Sequence, residues 1–139
     1  MEQGDIILVR FPFSDQFNYK IRPAVIVSNN EFNKKFDVWA CPITSKETSQ
    51  CIPLKNSLKE GKLERESYAK TNAITTLEKG LVIKKIGKTS KEKTNKIIEK
   101  IIQNIEKNQK NTKAAKALIK SEFPLNVQDS ILHKKRAKN

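Results

Sequence analysis

A chain of 139 residues fits one compact domain with an appendage and leaves no room for two complete domains, which commonly run to about 100–150 residues each. The formal net charge is +13, and it is uneven: residues 1–83 carry 12 basic and 10 acidic side chains, residues 84–139 carry 16 and 5. No apolar run approaches the roughly 18 residues of a membrane span, and the polar start Met1-Glu2-Gln3-Gly4-Asp5 does not resemble a secretory signal, so a cytoplasmic protein without a membrane partner is expected.

Gly4-Asp5-Ile6-Ile7-Leu8-Val9 reads as a first strand, rich in branched residues after a turn-prone start. Phe11-Pro12-Phe13-Ser14-Asp15 should break it at Pro12, and Gln16-Phe17-Asn18-Tyr19-Lys20 should form a loop. Aromatics beside cations, here Phe13, Phe17 and Tyr19 near Lys20 and Arg22, can stack bases and hold phosphates; core packing is the alternative for at least one phenylalanine, Phe11. Arg22-Pro23-Ala24-Val25-Ile26-Val27-Ser28 then sets a cation directly against a continuous apolar run, which predicts a strand buried on both faces with Pro23 as its first residue. A guanidinium at that boundary either clamps a phosphate through two parallel hydrogen bonds or closes a salt bridge at a strand end.

Phe36-Asp37-Val38-Trp39-Ala40-Cys41-Pro42-Ile43-Thr44 returns as a strand, with Pro42 marking an edge or a bulge and Thr44 and Ser45 at its rim. Gln50–Leu54 is a further short strand, Leu58–Leu63 a loop or tight turn, Ser67–Leu77 extended, and 80–83 and 84–87 close the series. Several short strands between turn signals predict an antiparallel sandwich or, at this length, a small barrel. Thr89-Ser90-Lys91-Glu92 offers a capping box with Thr89 as the cap. Ile97, Ile101 and Ile105, widened by Ile98 and Ile102, predict an amphipathic helix from about Lys91 to about Asn108 that covers the barrel or forms a dimer seam. The domain should therefore span 1–108, followed by a basic, partly helical extension over 109–139. Good helix formers occupy 113–120 there and Pro124 interrupts them.

Chemistry that needs a dedicated motif finds none. Cys41 and Cys51 lack close pairing and histidine partners, His133 is the single histidine, and no Gly-rich phosphate loop is present. No metal or other cofactor is expected. A positive excess in the C-terminal part favours a polyanionic partner, nucleic acid before membrane.

Taken in order, Gly4–Val9, Phe11–Asp15, Arg22–Ser28 and Pro42-Ile43-Thr44-Ser45, followed by Ser67–Asn72 and Lys85–Lys88, resemble the PemK/MazF family of toxin endoribonucleases from about Gly4 to about Ile105. The resemblance implies a mainly β fold, a small SH3-like antiparallel barrel with a C-terminal helix, working as a homodimer. It further implies metal-independent cleavage of single-stranded RNA by the ribose 2′-hydroxyl and inhibition by a cognate antitoxin protein. On the matching positions it makes Arg22 the phosphate clamp and Thr44 the hydroxyl of the phosphate or proton network, with Ser45 in reserve. Phe13, Tyr19, Lys20, Lys70 and Asn72 would contact substrate. Some relatives carry arginine and aspartate where this chain has Lys70 and Asn72. Lysine keeps the charge without the planar fork, and asparagine cannot serve as a carboxylate base. Two other readings follow, a barrel that binds nucleic acid without cutting it and an inhibitor of DNA gyrase built on the same fold.

Overall fold

A computed structural model describes residues 1–12 and 18–106, with Pro12 described by its backbone alone. Met1–Ile105 form one compact unit. Eight strands, β1 (Asp5–Pro12), β2 (Tyr19–Ile26), β3 (Asp37–Thr44), β4 (Cys51–Pro53), β5 (Leu58–Gly61), β6 (Tyr68–Lys70), β7 (Thr75–Glu78) and β8 (Val82–Thr89), precede one helix, α1 (Lys91–Ile105). All pairings are antiparallel. The sheet runs β4-β6-β3-β2-β1-β8-β5, with β7 beside β6 on β3, and its hydrogen-bonded path stays open, β4 and β5 forming its ends. The expected mainly β, antiparallel architecture with a C-terminal amphipathic helix is thus what the chain forms.

The alternation of side chains sorts the sheet into two faces. One face carries Ile6, Val25, Cys41, Ile43 and Ala69, and Ile97 and Ile101 of α1 pack onto it together with Leu54. The other carries Ile7, Val9, Ala24, Ile26, Val38, Ala40 and Leu77. The central strands are therefore buried on both sides, as the unbroken run Ala24-Val25-Ile26 requires. The helical stripe is only partly used: Ile97 and Ile101 are buried, whereas Ile102 and Ile105 remain exposed.

Several local expectations are corrected. Pro12 does not interrupt β1, because it stands at the end of a two-stranded ribbon, opposite Tyr19; Tyr19 and Lys20 accordingly belong to β2 and not to a loop. Pro23 lies inside β2. The bond from Val27 N–H to the Trp39 carbonyl, 2.8 Å, fixes which residues of β2 point their backbone toward β3, and by alternation Pro23 is one of them. Pairing with β3 begins only at Ala24, opposite Pro42, so the donor that Pro23 lacks falls where no partner is needed. Pro42 is likewise in a central strand, at the hand-over where β3 leaves β7 after Ala40 and takes up β6 at Ile43. Residues Leu58–Gly61, expected as a turn, form β5 on the outer edge of β8. Gly61 has φ +79° and its Cα packs so closely on β8 that a Cβ would lie 2.3 Å from the Ile86 carbonyl oxygen, which is why the edge pairs there.

The helix cap also moves by one residue. Ser90 Oγ accepts from the Lys93 N–H at 3.1 Å, while Thr89 ends β8 and bonds the Gly4 carbonyl and Thr94 Oγ1. The helix itself is described to Ile105; the remaining expected turn and all readings of 109–139 lie outside the described residues.

The N-terminus is fastened by charge. Lys88 Nζ sits 2.7 Å from Glu2 and 3.2 Å from the buried Asp5, and Lys85 Nζ joins Asp5 at 3.4 Å to Glu60 at 3.1 Å. Burial alone would raise the Asp5 pKa, but the Glu2 backbone N–H and the Lys88 ammonium outweigh it and hold the carboxyl below its ordinary 3.8. A depressed carboxyl contributes stability above its unfolded pKa and loses it as pH falls through the folded one. Stability measured by urea unfolding should therefore fall as the pH drops below the ordinary carboxyl pKa of 3.8, and Asp5→Asn should flatten that fall while lowering stability at pH 7. Removing the helix anchor, Ile97→Ala, should cost about 2–5 kcal/mol in the same assay.

Candidate functional site

Arg22 belongs to the stretch of β2 that outruns β3. Its partner on β1 is Val9, a member of the Ile7, Val9, Ala24 and Ile26 cluster, so Arg22 shares that face of the sheet. Unlike Val9 it is exposed, and among the described residues it enters no ion pair. The salt-bridge reading of Arg22 thus has no acidic partner among those residues.

The β2–β3 register, Ile26 to Ala40, Val25 to Cys41 and Ala24 to Pro42, continued two residues beyond its last pair, sets Arg22 opposite Thr44. Thr44 ends β3 half-buried on the same face. Its Oγ1 accepts from the Lys46 N–H at 3.2 Å, a short turn that uses a lone pair and leaves the hydroxyl hydrogen to donate elsewhere. Thr44 pairs in turn with Tyr68 of β6, and Tyr68 with Pro53 of β4. Thr44, Tyr68 and Pro53 therefore form one row across three strands, and Arg22 lies on the same face just beyond the end of the β2–β3 pairing, where the register would extend the row. Lys20, two residues from Arg22, and Lys70, two residues from Tyr68, alternate onto the same face.

Other expected positions fall elsewhere. Tyr19 is 57% exposed but alternates with Ile21 onto the face opposite Arg22. Ser45 is exposed in the bend after β3, and Asn72 is exposed in the turn after β6. Phe13 lies outside the described residues. Between Lys70 and Asn72, Thr71 is buried; its Oγ1 donates to the Gln50 carbonyl at 2.5 Å and its N–H to the same oxygen at 3.1 Å. This pair of hydrogen bonds fixes the end of β6 against the residue that leads into β4. Cys51, opposite Lys70, is half-buried with Thr48 Oγ1 at 3.3 Å from its sulfur. Cys41 is fully buried, and burial pushes its thiol up to about 12, which keeps it unreactive.

Tyr68 was not singled out by the sequence. It is half-buried, and desolvation first, then the carboxylates of Glu47 and Glu66, raise its phenol pKa above the ordinary 10. Glu66 also meets Lys55 at 3.5 Å, an exposed pair, on the wall of an open cleft of about 590 Å³ floored by Leu54, Leu58 and Leu63. A second group that drew no attention in the sequence is the exposed aromatic pair Phe32 and Trp39, ring centroids 4.7 Å apart. No helix among the described residues is long and apolar enough to cross a membrane.

The fold defined by these strands is that of small toxins. An open antiparallel sheet capped by one helix superposes on a Mycobacterium tuberculosis toxin MazF-mt6 with TM-score 0.58 at 19% identity, covering 72% of this chain and 93% of that one. It superposes on an endoribonuclease in complex with its cognate antitoxin from a mycobacterial species with TM-score 0.56 at 22% identity, over 76% and 94%. For a MazE-MazF complex from Deinococcus radiodurans the TM-score is 0.59 at 15% identity, over 76% and 95%. No curated protein sequence matches the chain significantly. The sequence profile of the PemK-like, MazF-like toxins of type II toxin-antitoxin systems matches residues 2–105, three quarters of the chain, and the protein belongs to that family.

The Thr71 contact gives the site's framework a direct test. Thr71→Val should lower stability by about 0.5–1.5 kcal/mol, because it deletes the hydroxyl bond while the Thr71 N–H still donates to the Gln50 carbonyl; equilibrium unfolding measures it.

Proposed function

We propose that this toxin is an endoribonuclease that cuts single-stranded RNA, with messenger RNA as its target, by attack of a ribose 2′-hydroxyl on the adjacent phosphorus. The bond from O2′ to phosphorus forms, the bond to O5′ breaks, and the products are a 2′,3′-cyclic phosphate and a 5′-hydroxyl; one proton leaves the 2′-oxygen and one reaches the 5′-oxygen. The observation that carries the reading is the β2–β3 register, which, extended two residues, sets an exposed Arg22 without an ion pair among the described residues opposite Thr44, whose hydroxyl hydrogen has no acceptor among those residues. In this reading the guanidinium takes two phosphoryl oxygens, as its planar fork suits, and stabilises the charge that grows on them. Thr44 donates to the same group and fixes its position. Lys20 and Lys70, on the same face, attract and align the flanking phosphates.

Family membership and the antitoxin-bound relatives support a cognate antitoxin as the physiological inhibitor, and a homodimer whose paired sites form one groove for the strand. A second reading, RNA binding without cleavage, is favoured by one observation: Asn72 is an exposed amide in the turn after β6, and an amide cannot accept the 2′-hydroxyl proton as a carboxylate would.

Incubation of the purified protein with a long single-stranded transcript in excess chelator separates the two. Cleavage is expected, with products bearing cyclic phosphate ends. Arg22→Ala should reduce the cleavage rate by about 10²–10³-fold, as removal of one positioned transition-state donor does. Arg22→Lys should not restore it, since lysine lacks the bidentate fork. An intact transcript across varied sequence, or full activity in both Arg22→Ala and Thr44→Ala, would overturn the proposed chemistry.

A further inference from the structure

The geometry points to Tyr68 as the platform on which the nucleobase next to the bound phosphate stacks, with Glu66 and Glu47 selecting a base that presents an exocyclic amino group. This inference rests on the RNA-directed reading above and specifies what the same site recognises. Three observations carry it. Tyr68 is the cross-strand partner of Thr44 on the face shared with Arg22, so its Cα stands one strand spacing, about 5 Å, from that of Thr44, whose hydroxyl the reading above sets on the phosphate. A base attached to that nucleotide is within reach of the Tyr68 ring. The ring is half-buried, with Thr44 on one side and Pro53 on the other, so it is held by its neighbours while part of its surface stays open.

The third observation is electrostatic. Two carboxylates border the row, Glu47 three residues after Thr44 and Glu66 two residues before Tyr68 on the rim where it meets Lys55 at 3.5 Å, and after desolvation both help to raise the Tyr68 phenol pKa. Carboxylates there repel phosphate, so the row is divided. Its Arg22 end takes the backbone, and its Tyr68 end takes a base. Carboxylates accept from the amino groups of cytosine, adenine or guanine. Uracil has no amino group and presents its N3–H between two carbonyl oxygens, which the same carboxylates repel. The exposed Lys55 beside Glu66, 3.5 Å away, screens this only weakly.

The test measures binding of fluorescent 2′-O-methyl hexamers of cytidine and of uridine, which cannot be cleaved, so that it is independent of the reaction. Wild type should bind the cytidine hexamer more tightly than the uridine one. Tyr68→Leu, which keeps apolar volume without a π-face, should weaken cytidine binding by roughly 5- to 150-fold, the range for loss of one stacked base. Tyr68→Phe should bind the cytidine hexamer nearly as tightly as wild type. Glu66→Gln should narrow the difference between the two hexamers. Equal binding by wild type and Tyr68→Leu, with unfolding midpoints showing that both are folded, would overturn the inference, as would equal losses in Tyr68→Leu and Tyr68→Phe. Tyr68-dependent binding without transcript cleavage would leave this inference standing and overturn the nuclease reading; cleavage with Tyr68-independent binding would do the reverse.

Discussion

One backbone position that cannot donate a hydrogen bond marks where β2 and β3 part, a second marks where β3 passes from β7 to β6, and the rest of the site depends on both. Pro23 points its missing donor toward β3 just beyond the last pair, and Pro42 points its own toward the gap between β7 and β6. Inside a continuous ladder either proline would leave a carbonyl without a partner. Placed here, they let the strands separate without that loss, and the side chains just past the separation meet solvent instead of a neighbouring core. Arg22 and Thr44 are those side chains. The same face that is packed shut at Ala24, Ile26 and Val38 is open two residues later.

The stiffness of that opening comes from the layers beneath it. Val25, Cys41, Ile43 and Ala69 on the reverse face are covered by Ile97 and Ile101, and Thr71 locks β6 to the residue that leads into β4. At the far side of the sheet, the Lys85 and Lys88 network closes Glu2, Asp5 and Glu60 around the first strand. These ion pairs satisfy much of the acidic charge there. Arg22, by contrast, has none of it nearby among the described residues, which makes it available to an incoming anion.

Much of this was legible in the chain. The run Ala24-Val25-Ile26 announced a doubly buried strand, the isoleucines of α1 announced their periodicity, and the order of motifs around Arg22 and Thr44 carried the family. What the chain did not show was set by contacts distant in sequence. Leu58-Lys59-Glu60-Gly61 has no strand-like alternation and becomes β5 only because β8, with Gly87 in close approach, offers it an edge. Thr89 fits a capping box on spacing alone, but its hydroxyl is taken by Gly4 and Thr94, and the cap passes to Ser90. Tyr68 looked like any strand tyrosine until its pairing with Thr44 placed it in the row. Tyr19, grouped with Arg22 by proximity in sequence, alternates onto the other face.

The central claim is that Arg22 and Thr44 act on one phosphate, which a double-mutant cycle measures most directly. Binding of a 2′-O-methyl oligonucleotide would be compared in wild type, Arg22→Ala, Thr44→Ala and the double variant. If both side chains hold the same group, the two losses should fall short of additivity by about 0.5–3 kcal/mol, the range for residues sharing a partner. Losses that add within about 0.3–0.5 kcal/mol, the behaviour of independent sites, would contradict the account.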